Sequence, residues 1–178
     1  MGWFMKNDKA HLEDLHRLAV AAYRAGERDP DALTAPADGA FLASIGLSAQ
    51  VLFDYAEDFV RSDEPDCATF VRAAGIRRDF FHGARNSVPA ARTVREDELP
   101  LREHEWEGIA WLPRIAAKAR CFLEGSLCRE VMYGCSGDRA FLRKYNLSLP
   151  DFLAAVRDSE DHRKTLPRLV RAGSPPAQ

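Results

Sequence analysis

The sequence predicts an all-α protein, a single helical domain made of two pseudo-repeats of about 70 residues. Apolar residues recur at helical spacing in nearly every segment, and alternating strand patterns are almost absent. The stretch Gly137–Val156 (GDRAFLRKYNLSLPDFLAAV) also resembles the stretch Asp38–Tyr55 (DGAFLASIGLSAQVLFDY), at an offset of 100 residues. The periodicity predicts the fold class, and the offset predicts the repeat.

Five apolar stripes predict the main helices. They consist of Leu12, Leu15, Leu18, Ala19 and Ala22; Val51, Leu52, Tyr55 and Phe59; Leu112, Ile115, Ala116, Ala119 and Phe122; Phe152, Leu153 and Val156; and Leu166, Leu169 and Val170. The first stripe ends near Gly26 and the third near Gly125, as expected of helices that are closed by glycine.

The doubled segment predicts a short helix followed by a second helix in each repeat. Asp38 and Asp138 are expected to cap the short helices, because a carboxylate accepts hydrogen bonds from the free N–H groups at a helix start. Each short helix should bury a Phe-Leu pair, close on a residue that tolerates the left-handed conformation, and lead to a serine cap. These residues are Phe41, Leu42, Gly46 and Ser48 in the first repeat and Phe141, Leu142, Asn146 and Ser148 in the second.

The repeat divides the chain into five parts. Residues 1–8 form an N-terminal extension, 9–83 the first helical repeat, 84–110 a charged connecting segment, 111–173 the second helical repeat and 174–178 a disordered tail. The connecting segment is rich in charge and proline and has few apolar positions, which is typical of a long surface connection. We expect an approximate twofold axis between the repeats, with Leu and Phe stripes packed at their shared interface.

The composition is that of an ordinary globular protein, with 46% hydrophobic and 29% charged residues. A formal net charge of −2, with arginines scattered among acids, predicts no nucleic-acid partner. No apolar run approaches the roughly 20 residues that span a bilayer, and the first residues match neither a secretory signal nor a myristoylation motif. We therefore expect a cytoplasmic protein without a membrane partner, and a homo-oligomer is compatible with the sequence.

The sequence predicts no metal and no cofactor. The four cysteines are Cys67, Cys121, Cys128 and Cys135. None forms a C-x-x-C pair, and a seven-residue helical step separates thiolates by about 10 Å, too far to share an ion. We expect them to be small buried hydrophobic residues in a reducing compartment. His11 and His16 point to different faces, the stretch HEWE at 104–107 lacks a second ligand pair, and no phosphate loop is present.

Several short motifs lie close together in the second half. They are Trp111–Arg114 (WLPR), Lys118–Arg120 (KAR), Gly125, a Tyr-x-Cys-x-x-Asp element at Tyr133, Cys135 and Asp138, Phe141–Leu142 and Phe152–Val156 (FLAAV). With these motifs a segment of about 50 residues resembles a bacterial family of small helical proteins, number 5069 in the domains-of-unknown-function series. That family tends to carry Asp where Ala117 stands and Pro-Leu where Ser136–Gly137 stand. The resemblance implies a helical fold and no settled activity.

The helix that begins in the stretch WLPRIAAKAR is the first candidate for a binding site. Pro113 suits the first helical turn, where free N–H groups and the helix dipole favour an anion. Arg114 and Lys118 are four residues apart and therefore share a face, and Trp111 would form a flat wall beside them. In the alternative interpretation, Arg114 and Lys118 pair with acids of the connecting segment.

The stretch YGCSGD is the second candidate. Its two glycines let the backbone approach a ligand, Cys135 is a candidate nucleophile, and we count Tyr133 among the ligand-binding residues. Asp138 is more simply explained as the helix cap. Cys135 as a small buried residue is the alternative.

The stretch IRRDFFHGARN (76–86) is the third candidate. His82 is the residue type most often used as a general base, and Asp79, three residues earlier, is close enough on a helix to orient its ring. Arg78 is a candidate ligand-binding residue in the same cluster. The alternative is a helix end whose Phe side chains pack inward and whose Arg side chains face solvent.

Two functional interpretations follow. In the first, the cleft between the repeats binds a small anionic molecule, and the protein acts as a cofactor-independent enzyme that uses His82 as acid or base. In the second, the protein is a non-enzymatic interaction or regulatory module whose exposed helices recognise another protein. A deep pocket with Arg114 and His82 would favour the first interpretation, and a large apolar surface patch would favour the second.

Overall fold

A computed structural model describes residues 6–173, with side chains from residue 7 onward. These residues form eight α-helices and one small antiparallel sheet, which confirms the predicted all-α class. The helices are α1 (Lys6–Arg24), α2 (Pro36–Ser44), α3 (Ala49–Ser62), α4 (Cys67–His82), α5 (Leu112–Glu124), α6 (Ser136–Lys144), α7 (Leu149–Asp158) and α8 (His162–Gly173). The strands are β1 (Glu105–Trp106) and β2 (Ile109–Ala110). The predicted tail, 174–178, and the first five residues of the predicted extension lie outside the described residues.

The chain divides into two compact units between Pro89 and Ala90. Unit 1 contains α1 to α4, and unit 2 contains the sheet and α5 to α8. The duplication and the twofold axis stay predictions.

In unit 1, α1 packs against α3 and α4. The largest fully buried side chains at this core are Leu12, Leu42, Leu52, Tyr55 and Phe70. The first apolar stripe differs from its prediction, because Leu18 is exposed and Ala22 is half-buried, whereas His16, Val20 and Tyr23 are buried. The buried face of α1 therefore follows positions 12, 15, 16, 19, 20 and 23, which is the helical period shifted by part of a turn.

In unit 2, α5 packs against α7 and α8, and α7 also contacts α6. The largest fully buried side chains here are Leu112, Ile115, Leu123, Tyr133, Leu142, Phe152 and Leu153. Two of the seven-spaced cysteines share a small apolar cluster with Leu99 and Val131: Cys121 is buried in it and Cys128 packs against its edge. The third, Cys135, lies elsewhere.

Residues 90–110, part of the predicted connecting segment, belong to unit 2. Val94 forms a parallel bridge with Leu127, and the side chain of Leu99 is buried. Trp106 pairs with Ile109 across the two-residue hairpin of β1 and β2. This segment is therefore held to the helices of unit 2 by backbone pairing as well as by apolar burial.

The predicted caps Asp38 and Asp138 are wrong. The N-cap residues are Ala35 and Cys135, and each aspartate lies in the first turn of its helix. In α2, Pro36 occupies the start of the helix, where its fixed φ is favourable, so the helix begins earlier than the aspartate predicts. Each carboxylate instead binds a side chain outside its helix.

The ends of the two short helices confirm the prediction. Gly46 and Asn146 adopt the left-handed conformation, with φ of 76° and 50°. The following turns carry the same hydrogen bond, from Leu47 N to Leu42 O at 2.8 Å and from Leu147 N to Leu142 O at 3.1 Å. Ser148 caps α7 by accepting from Asp151 N, as predicted.

Exchanging the residue types at the two helix ends, Gly46→Asn and Asn146→Gly, should change the free energy of unfolding by different amounts. A Cβ atom added at Gly46 would lie 2.7 Å from Phe81 Cγ, so Gly46→Asn should lower the free energy of unfolding by about 1–3 kcal/mol through overpacking. Asn146→Gly should change it by less than about 1 kcal/mol, because glycine readily adopts this backbone conformation. Urea unfolding followed by circular dichroism measures both. Equal effects at the two positions would contradict this expectation.

Among the described residues, no single helix is long and apolar enough to cross a membrane. The pair α2 and α3 passes the same test only when the two are taken together across a bend of 100°, on length and composition alone.

Candidate functional site

A buried polar cluster in unit 2 is centred on Asp138. This carboxylate is fully buried, and it accepts hydrogen bonds from Gly134 N at 3.0 Å and from Trp111 Nε1 at 3.2 Å. It also forms an ion pair with the ammonium group of Lys118, whose side chain is 4% exposed. A buried carboxylate needs such donors, because removing its charge from water is costly. The structure thus brings Trp111 and Lys118 together, but around one of the protein's own acids.

Cys135 lies at the edge of this cluster. It is the N-cap residue of α6, it is partly exposed, and its Sγ lies 3.2 Å from Lys118 Nζ. A Cβ atom added at Gly137 would lie 2.7 Å from Cζ2 of Trp111, which shows how closely the indole covers the first turn of α6. The indole therefore packs on the protein, where the sequence predicts a wall for a ligand.

Arg114 is also held by protein groups. Its side chain is 9% exposed, and it donates from Nη1 to Pro100 O at 2.9 Å and from Nη2 to Glu96 Oε1 at 2.8 Å. Glu96 belongs to the connecting segment, so Arg114 makes the contact that the alternative interpretation describes. An anion at Arg114 or Lys118 would have to displace Glu96 or Asp138.

Tyr133 supports α7. It is buried, and its hydroxyl donates to Leu149 O at 2.8 Å, at the first residue of that helix. This bond satisfies one of the polar groups that would otherwise be buried without a partner.

His82, Asp79 and Arg78 lie at the end of α4 in unit 1. His82 is exposed, and its Nδ1 lies 2.8 Å from Ser87 Oγ. Asp79 lies 3.5 Å from Arg78 Nη1, and Arg78 Nε lies 3.6 Å from Asp8 Oδ2. Ser87, rather than Asp79, is therefore the described hydrogen-bond partner of the His82 ring.

Unit 1 holds a buried histidine, His16, and a half-buried carboxylate, Asp54, neither of which the sequence indicates as a site residue. Burial raises the pKa of Asp54 to about 7, although a hydrogen bond from Gln50 opposes the shift. Burial lowers the pKa of His16 below its usual range, and the Asp66 carboxylate opposes this. The His16 ring packs against the rings of Phe59 and Phe70, and its Nε2 has no hydrogen-bond partner among the described residues.

An open pocket of about 370 Å³ lies in unit 2. Its lining residues are Pro100, His104, Glu105, Trp106, Pro113 and Arg163. The volume is within the usual range for small-molecule sites, about 300–1,000 Å³. The prolines and the indole supply apolar walls, and the other three residues supply polar groups of both charge signs. This combination is typical of a site that fixes the orientation of a small ligand.

The hairpin and α8 form two sides of this pocket. The turn of the hairpin consists of Glu107 and Gly108, both with positive φ, which is the geometry favoured in two-residue hairpins. Arg171 of α8 forms an ion pair with the Glu107 carboxylate and donates to Glu107 O at 2.8 Å. These bonds connect the hairpin to the helix that carries Arg163.

The stretch HEWE at 104–107 supplies three lining residues of this pocket, although the sequence suggests it only as an incomplete metal motif. A hairpin signal was present, since Gly108 follows within two residues of Trp106, but Glu-Gly is a weaker signal than Asn-Gly or Asp-Gly. Nothing in the local sequence connects His104 with Arg163, which lies 59 positions later (163 − 104). Among residues 6–173 there is no group of three or more His, Cys, Asp or Glu side chains that could hold a metal ion.

Unit 2 is thus a helical unit with an open pocket of about 370 Å³. Comparisons with protein-family models, with curated proteins and with solved structures find no match. The resemblance of the second half to family 5069 therefore stays a prediction.

Proposed function

We propose that this protein binds a small anionic molecule, and that the ligand occupies the unit 2 pocket beside Arg163. The observation that carries the proposal is that the Arg163 side chain is exposed and has no ion-pair partner within residues 6–173. This side chain borders a pocket of suitable volume. A guanidinium presents a planar fork of donors that matches a carboxylate or phosphate.

The basic side chains that the sequence predicts as the anion site are less available to a ligand. Lys118 and Arg114 each have an acidic partner within the protein, at Asp138 and Glu96. Binding at either position would require an anion to replace a bond that already exists, whereas Arg163 has no ion pair within residues 6–173 to be replaced. This difference favours the pocket over the start of α5.

An enzymatic version of the proposal uses His104. Its imidazole borders the same pocket, and a histidine is the commonest general acid or base. The interaction-module alternative has less support, because the large apolar side chains exposed among the described residues are Leu18, Val88 and Leu101, in three separate segments. A cytoplasmic location and a homo-oligomer stay predictions of the sequence.

Removing the guanidinium should weaken anion binding. With benzoate and inorganic phosphate as probes in isothermal titration calorimetry, Arg163→Gln should lower the affinity at least about tenfold, because a charge-assisted hydrogen bond contributes about 1.5–3 kcal/mol. Arg168→Gln is the matched control, since Arg168 is exposed on the same helix and does not line the pocket. Failure of both probes to bind, or equal losses in the two variants, would contradict the proposal.

A further inference from the structure

The unit 2 pocket carries two opposite charges that do not neutralise each other. Arg163 lies near the start of α8 and Glu105 on β1, and both border the pocket. Neither side chain forms an ion pair within residues 6–173, so the two charged groups are not in contact with one another. Elsewhere in unit 2, nearby opposite charges do pair, as Arg171 does with Glu107 and Lys164 with Asp161.

A single ligand with both charges would satisfy both groups. A ligand carboxylate or phosphate can bind the Arg163 fork, and a ligand ammonium can donate to the Glu105 carboxylate. A ligand with only a negative charge would leave Glu105 close to a like charge, and one with only a positive charge would do the same to Arg163. Two opposite charges at one pocket that do not pair within residues 6–173 thus favour a ligand that carries both charges itself.

The apolar walls specify the rest of the ligand. Trp106, Pro100 and Pro113 are among the lining residues, and indole and proline rings are largely apolar. A ligand without apolar surface would leave these walls exposed to water, so no apolar burial would contribute to its binding free energy. We propose that the ligand is a small zwitterion of the amino-acid type, with an ammonium, a carboxylate and an apolar ring. This inference rests on the proposed function, because it assumes the same pocket.

Three probes with the same ring and different charges test this inference. They are L-phenylalanine (zwitterion), 3-phenylpropionate (anion) and 2-phenylethylamine (cation), each titrated by calorimetry into the full chain. We expect L-phenylalanine to bind at least about tenfold more tightly than either of the others, since it alone satisfies both charges. Glu105→Gln should weaken L-phenylalanine binding about tenfold and strengthen 3-phenylpropionate binding. Glu103→Gln, an exposed residue outside the pocket lining, should change neither.

The outcomes separate this inference from the proposal on which it rests. If 3-phenylpropionate binds as tightly as L-phenylalanine and Glu105→Gln strengthens both, the ligand is a simple anion; the inference is then overturned and the proposed function stands. If 2-phenylethylamine binds most tightly, both are overturned. If none of the three binds while benzoate does, the inference alone is overturned.

Discussion

Replacing Lys118 by methionine should lower the free energy of unfolding of unit 2 by about 3–5 kcal/mol. The change removes the ammonium and leaves the Asp138 carboxylate fully buried, with hydrogen bonds but no countercharge. Breaking a buried ion pair from one side costs this much because the remaining charge cannot return to water. Urea unfolding followed by tryptophan fluorescence measures the loss, since Trp106 and Trp111 both lie in unit 2.

The double variant Lys118→Met with Asp138→Asn should recover part of this loss, because it leaves no unpaired charge. A matched control is Lys164→Met, whose ammonium lies 3.0 Å from Asp161 Oδ2 on a side chain that is 76% exposed. That change should cost at most about 1 kcal/mol. If Lys118→Met costs no more than Lys164→Met, water reaches Asp138 and the pair is not the support of α6 that its burial indicates.

Asp54→Asn should make unit 1 more stable at pH 8, by about 2–4 kcal/mol. Burial raises the pKa of Asp54 from 3.8 to about 7, so at pH 8 the folded protein holds a carboxylate that would be better solvated in the unfolded chain. A difference of one in pKa between the folded and unfolded states corresponds to about 1.4 kcal/mol of stability, and this sets the upper end of the range. Asparagine keeps an oxygen that can accept from Gln50 Nε2, now 2.7 Å from Asp54 Oδ1.

The gain in stability from Asp54→Asn should decrease as the pH falls. Because the folded pKa is raised, the stabilising contribution of Asp54 is fully present below pH 3.8 and is lost as the pH rises toward about 7. The difference between Asp54→Asn and the parent protein should therefore shrink as the pH falls from 8 to 4, in urea unfolding followed by circular dichroism. Asp14→Asn, at a carboxylate that is 64% exposed, should change stability by less than about 1 kcal/mol at either pH. A gain independent of pH would contradict the assignment to Asp54 ionisation.

Local sequence signals predict most of the helices, although no apolar stripe indicates α4 and the buried face of α1 differs from its predicted stripe. The period of the apolar residues indicates which face of each helix is buried, and the tolerance of Gly46 and Asn146 for positive φ indicates where α2 and α6 end. The prediction of Asp38 and Asp138 as helix caps was wrong for a local reason as well. An aspartate before an apolar pair resembles a cap, but it can equally lie in the first turn, and Asp138 does so because Lys118 and Trp111 satisfy it there.

The candidate site could be predicted only in part, because it depends on contacts between distant residues. Sequence spacing places Arg114 and Lys118 on one helix, and the alternative interpretation expects an acid of the connecting segment beside them, as Glu96 is beside Arg114. It does not reveal that Lys118 pairs instead with Asp138 of α6. The same limit applies to Arg163, because only the folded structure shows that its guanidinium forms no ion pair within residues 6–173. Residue types identify the groups that can bind an anion, and tertiary contacts decide which of those groups are available.

The different starts of α1 and α5 explain where the pocket of unit 2 finds room. Both helices end at matching positions of the 100-residue offset, Arg24 and Glu124, but α1 is helical from Lys6 whereas α5 begins only at Leu112, six positions later in register (112 − 100 − 6). In unit 2 the positions that match the first turns of α1 are occupied by the hairpin, and the pocket lies between this hairpin, Pro113 of α5 and Arg163. Under the predicted duplication, the pocket of unit 2 therefore stands where unit 1 has six further residues of helix, which is fewer than two helical turns.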